Sequence, residues 1–117
     1  MEQGLILFAH GSKDPAWRRP FEAIAARVRE ALPGTRVDIA YLEHGPTLLE
    51  VLSSSPHARS VRVVPLFLGA GGHVRDDVPR LVEAARKAHP HLNIALDPAI
   101  GDEPALIDAI AAVICRR

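Results

Sequence analysis

Apolar residues in this chain fall into two rhythms that alternate from the N-terminus onward. Leu5-Ile6-Leu7-Phe8 is an unbroken apolar run, the pattern of a strand buried on both faces. A second strand is predicted from Arg36 to Leu42, where Val37, Ile39 and Tyr41 alternate with Asp38 and Ala40. Val61-Arg62-Val63-Val64 is β-branched and reads as a third, ending at Pro65, because proline has no N–H to give a central strand. A fourth fits Leu92 to Leu96. Between the strands the spacing changes to three and four. Phe21, Ile24, Ala25, Val28 and Leu32 make one helical stripe, and Val78, Leu81, Val82 and Ala85 another. A short helix fits Thr47 to Leu52, and a last one runs through Ile107, Ile110 and Ile114.

The punctuation between these runs sets the boundaries. Asp14-Pro15 is a helix-start signal, an N-cap followed by proline at the first helical position. Pro20 then predicts a kink or a later start, and Pro33-Gly34 stops the helix. The third helix is expected to begin at Asp76 or Asp77, and the last at Asp102 with Pro104 close behind. The order βαβαβαβα predicts an α/β fold: a small, doubly wound, four-stranded parallel sheet with helices on both faces. The simplest strand order is 2-1-3-4, and residues 1–117 are read as a single domain. Ligands of such sheets bind beyond the carboxyl ends of the strands at the switch point, here between strands one and three.

Composition narrows the classes. The 14 basic and 14 acidic residues cancel, which argues against a nucleic-acid partner. One cysteine, Cys115, excludes an internal disulfide and a cysteine-rich zinc site. No apolar run approaches the roughly 20 residues of a membrane span, and MEQGLILFAHGS lacks the basic start of a signal peptide. The expectation is a cytoplasmic protein with no membrane partner.

The polar residues after each strand supply the candidate chemistry. His10 follows strand one, Glu43 and His44 follow strand two, and His73 follows strand three, so all are expected at one sheet edge. Imidazole and carboxylate together bind divalent first-row metals, and neutral imidazole accepts protons near pH 7. His73 is read as standing at the end of a flexible loop, Gly69-Ala70-Gly71-Gly72, that can fold closely over a ligand. That loop lacks both the lysine of a P-loop and the GxGxxG spacing of a dinucleotide site. Ser12 beside His10 is no nucleophile elbow, since GxSxG is absent. His57, His89 and His91 are assigned no chemistry, although His89 near a helix C-terminus suits the helix dipole.

LILFAHGSKDP, AYLEHGPTL and VVPLFLGAGGHVRDDVP, taken in this order, resemble the short class II tetrapyrrole chelatases. These are the small sirohydrochlorin cobaltochelatases of the CbiX type and the related sirohydrochlorin ferrochelatases. The resemblance covers nearly the whole chain. It implies insertion of a divalent metal into sirohydrochlorin on the route to cobalamin or sirohaem. Co²⁺ is favoured as the substrate ion over Fe²⁺ and Ni²⁺, with no organic cofactor. His10 and His73 occupy the family's two active-site histidine positions, and Glu43 that of an acidic residue near the metal. On this reading all three bind metal and serve catalysis, while Ser12, Gly71, Gly72 and Arg75 contact the macrocycle, with Lys13 a weaker candidate. The long chelatases resemble two such domains face to face, so a homodimer is expected here. A metal or tetrapyrrole carrier without turnover, and a flavodoxin-like nucleotide or flavin binder, are the readings of other classes.

Overall fold

A computed structural model describes residues 3–54, 59–69 and 71–116. Four parallel strands, β1 (Gln3–Ala9), β2 (Arg36–Tyr41), β3 (Ser60–Pro65) and β4 (Asn93–Leu96), form one sheet in the order β2-β1-β3-β4. The expected topology is therefore the observed one. Leu7 of β1 lies between Ile39 of β2 and Val64 of β3, so the first strand is central and its apolar run is covered on both faces.

Helices α1 (Arg19–Ala31), α2 (Leu48–Ser53), α3 (Gly72–Ala88) and α4 (Pro104–Cys115) follow the four strands in turn. Alternation along β1 divides its side chains between two cores. Ile6 and Phe8 pack with Leu48, Val51 and Leu52 of α2 and with Val78, Val82 and Ala85 of α3. Leu5 and Leu7 face the other way, with Val37, Val64 and Ala25 of α1. Among the described residues Phe8, Leu52, Val63 and Val82 are the largest fully buried side chains.

β3 ends at Pro65, as expected. Its neighbour Leu66 donates to Phe8 O at 2.8 Å, and Val63 O accepts from Asp97 N at 2.9 Å. Residues two apart face the same side, so the nitrogen of Pro65 points past the end of β4, where no ladder bond is required. Pro20 delays α1: Asp14 caps a 3-10 turn, Pro15–Arg18, through its Oδ1 and Ala16 N at 2.9 Å, and α1 starts only at Arg19.

Two helix starts differ from expectation. α3 begins at Gly72 with Gly71 as N-cap, so Asp76 and Asp77 lie inside the helix. Glycine is itself an accepted N-cap, and acidic residues early in a helix suit its dipole without marking the cap. Pro79 also sits within α3, which burial of Val78 and Val82 on either side holds together. α4 begins at Pro104, because Ile100–Asp102 form a separate 3-10 turn.

Candidate functional site

The β1–β2 ladder runs on past the strands and builds one corner of the carboxyl edge. Leu42 N donates to Ala9 O at 2.8 Å and Glu43 N to His10 O at 2.9 Å. His10 and Glu43 are thereby held opposite each other on a continuous backbone frame. The imidazole Nδ1 of His10 lies 3.9 Å from Glu43 Oε2 and 3.2 Å from Gly11 O. Both side chains are more than half exposed, at 55% and 57%, so their electrons remain open to a ligand arriving from solvent.

Gly11 is required at this corner. Its φ is +91°, and a Cβ there would run into the carbonyl oxygen of Glu43. Only glycine combines that backbone with so close an approach. On the far side, His44 also takes a positive φ, +62°. Arg18 fixes this bend by donating through Nη2 to His44 O at 3.1 Å and to Gly45 O at 2.9 Å. Its guanidinium lies 4.8 Å over the Tyr41 ring, and burial pushes the Tyr41 phenol above its usual pKa. Thr47 and Glu50 close the segment with a reciprocal capping box at the start of α2. Hydrogen bonds from the backbone and hydroxyl of Thr47 hold the Glu50 carboxyl below its usual pKa.

His73 stands on a different support from the one expected. It is the second residue of α3, in the first helical turn, not the tip of a loop. The glycine run contributes the cap of that helix through Gly71 and its first residue through Gly72. The side chain of His73 lies outside the described set, as does His57. Among the described residues no three histidine, cysteine or carboxylate side chains converge on a metal position; His10 and Glu43 form a pair.

The other assigned residues divide. Arg75, exposed on α3, lines a cavity of about 300 Å³ with Phe67, Asp97 and Asp102 at the carboxyl ends of β3 and β4. Ser12 accepts from Asp14 N at 3.2 Å and so serves the turn before the 3-10 helix. Lys13 is exposed. His44 is exposed beside Glu43, and its backbone carbonyl is the atom held by Arg18. Sequence reasoning missed Asp77 and Arg80. They share a cavity of about 310 Å³ with Glu43, and their side chains are 3.3 Å apart. Only the placement of α3 beside the loop after β2 brings them to Glu43.

Fold and edge together define a doubly wound α/β protein that gathers imidazole, carboxylate and guanidinium groups beyond its parallel strands. The CbiX family model matches residues 4–117, and the chain belongs to that family. Two similar proteins are the sirohydrochlorin cobaltochelatases of Saccharolobus islandicus and Saccharolobus solfataricus. They are 30% and 31% identical over 121 residues, covering 97% of this chain and 91% of each of them. The crystal structure of the CbiX protein from Marinobacter aquaeolei VT8 is similar with a TM-score of 0.85 and 36% identity, over 97% of this chain and 95% of that one. Sirohydrochlorin chelatase SirB from Bacillus subtilis subspecies spizizenii, in complex with cobalt, shares the fold at a TM-score of 0.76 and 23% identity. There 99% of this chain matches 51% of SirB.

Proposed function

We propose that this chain inserts Co²⁺ into sirohydrochlorin, with His10, His73 and Glu43 handling the ion and the pyrrole protons. As a member of the CbiX family it is a metal chelatase. The observation that carries the finer reading is the match, nearly end to end, with relatives named sirohydrochlorin cobaltochelatase. Insertion exchanges two protons for one divalent ion: two pyrrole N–H bonds break, four nitrogens close on the metal, and both protons leave to bases.

The corner at His10 suits the first part of that exchange. A solvent-open imidazole with a carboxylate 3.9 Å away can take a hydrated divalent ion and replace part of its water. Imidazole released by the departing metal can then accept a pyrrole proton, the ordinary work of a general base. His73, at the N-terminal turn of α3, is assigned the same pair of tasks from the other side of the switch point between β1 and β3. Arg75, beside its cavity at the edge, is assigned to the macrocycle's carboxylates, which guanidinium binds in a forked geometry. Gly71 and Gly72 let the start of α3 approach the ring, and Ser12 borders it from the other loop.

SirB contains a chain length about twice the matched region. One copy of the present chain supplies one sheet edge, and a twofold homodimer would supply the second wall of a cleft. Fe²⁺ and Ni²⁺ suit the same ligand types, so cobalt rests on the relatives and not on ligand chemistry.

The test is anaerobic absorbance of sirohydrochlorin and Co²⁺ with catalytic amounts of the protein. Many turnovers above the spontaneous rate are expected, with Co²⁺ faster than Fe²⁺ or Ni²⁺. A spectral change that stops at one equivalent would make the protein a carrier and overturn the enzymatic reading.

A further inference from the structure

Two stretches of chain bound the corner that holds His10 and Glu43. One leaves β1 and runs from His10 through the 3-10 turn Pro15–Arg18. The other leaves β2 and loops through residues 42–46 before α2. They meet first in the extended ladder, where Glu43 N bonds His10 O at 2.9 Å. They meet a second time through one side chain. Arg18 Nη2 donates to His44 O at 3.1 Å and to Gly45 O at 2.9 Å, across 26 and 27 residues of sequence. The stretch from His10 is stiffened on the way: Asp14 N bonds Ser12 Oγ, Ala16 N bonds Asp14 Oδ1, and Trp17 N bonds Asp14 O. Arg18 is therefore placed by the segment that carries His10, and it grips the segment that carries Glu43.

The grip falls where the loop is most strained. His44 and Gly45 both have positive φ, +62° and +38°. A left-handed conformation costs a residue with a Cβ about 1–2 kcal/mol and persists only where its surroundings over-determine it. Tyr41 N closes the neck of the loop on Pro46 O at 2.8 Å. At the bend itself the guanidinium holds two successive carbonyls in charge-assisted bonds. Arg18 is half-buried and has little freedom of its own. Its guanidinium lies 4.8 Å over the ring of Tyr41. That ring is buried and packs edge-on against Phe21 of α1, with centroids 6.5 Å apart. The bend at His44 is thus anchored to the core through an arginine and an aromatic ring.

We propose that Arg18 is a positioning residue for metal binding: without touching the ion, it holds Glu43 where the carboxylate and the His10 imidazole can share one. This deepens the function proposed above and rests on it for the ion. The coupling runs through the backbone. The Glu43 side chain is 57% exposed, so little packing restrains it and its direction depends on the backbone beneath. The peptide that joins Glu43 to His44 sets that direction, and the bend at His44 fixes the peptide. Once Arg18 is lost, His44 is free to relax to negative φ. That relaxation turns the peptide and carries the carboxylate away from an imidazole now 3.9 Å distant. Imidazole and carboxylate then meet the ion one at a time instead of together. Arginine suits the task better than lysine, since its planar fork lies flat on an aromatic ring while donating from its edge.

The experiment is calorimetric titration of the full chain with Co²⁺ alone, in a double-mutant cycle of Arg18→Met and Glu43→Gln. Loss of a group that orients a metal ligand costs about 10–100-fold in affinity, so Arg18→Met should raise the Kd at least about 10-fold. In the Glu43→Gln background the same substitution should change the Kd less than about 2-fold, because the ligand it positions is already gone. Arg18→Lys should fall between wild type and Arg18→Met, since an ammonium still donates to carbonyls without stacking. It carries the same cycle if methionine at this position prevents folding. Equal losses in both backgrounds would show a general effect on the fold and overturn the proposal. An unchanged Kd with Glu43 intact would overturn it too, and a wild-type chain that takes up no Co²⁺ would overturn it together with the metal site. Sirohydrochlorin turnover on the same samples separates the readings. Turnover with equal losses ends the positioning role alone, and coupled Co²⁺ binding without turnover ends the chelatase reading alone.

Discussion

At the scale of the residue, the site depends on what the backbone allows as much as on which side chains are present. His10 faces Glu43 because the segments that follow β1 and β2 are held in ladder register by two backbone hydrogen bonds. Gly11 makes room for that register. Gly11→Ala should cost about 1–3 kcal/mol in stability and lower metal insertion as well, because the new methyl displaces the Glu43 carbonyl. Thermal melting and initial rates on the same sample check both effects. His10→Ala and His73→Ala should each reduce turnover about 100-fold or more, the usual loss on removing a general base. Neither should lower the melting temperature appreciably. His10 is exposed, and alanine at position 73 is the better residue for the first turn of α3. Unchanged turnover in either variant would remove that histidine from the assigned mechanism.

At the scale of the element, caps and prolines decide where each helix begins, and their effects are separable from the chemistry. The Thr47–Glu50 capping box starts α2, a helix of six residues whose Leu48, Val51 and Leu52 are all buried. Thr47→Ala should cost about 1 kcal/mol and lower the melting temperature by about 4 °C for a domain of this size. The effect has a pH signature. Glu50 titrates below its usual range when folded, so its contribution is complete above the ordinary carboxylate pKa and fades as pH falls through the lowered one. The gap between wild type and Thr47→Ala should therefore narrow in acid melts and stay constant above about pH 6. A gap independent of pH would mean that the hydroxyl alone carries the cap.

At the scale of the whole molecule, the sheet is closed on one face and half open on the other. The face covered by α2 and α3 holds the larger core, while α1 alone guards the second, with only Ala25 of its stripe buried. If the proposed twofold homodimer covers that face, folding and association are linked. The melting temperature should then rise by about 3 °C for each tenfold increase in protein concentration. A melting point independent of concentration from micromolar to millimolar would show a chain stable by itself.

The sequence by itself determined the alternation of strands and helices, the parallel sheet and its order, because period-two and period-3.6 patterns with their turn residues are local properties. It also brought His10, Glu43 and His73 to one edge, since each follows a strand whose direction the topology dictates. The motif resemblance pointed to the CbiX family before any contact was known. Helix starts were less legible: Asp76 is a better cap by residue type than Gly71, but the longer helix adds a turn whose Val74 packs against the core of Val78 and Val82. The meeting of Asp77 and Arg80 with Glu43 at one cavity came from the packing of α3 against the loop after β2. The path of α4 was decided by tertiary structure alone. Ile107, Ile110 and Ile114 mark a helix, and nothing local distinguishes a helix that covers its own sheet from one clamped away from it. Periodicity tells which side of a helix avoids water; the Phe67–Gly101 contact, 34 residues apart in sequence, determines where that helix can point.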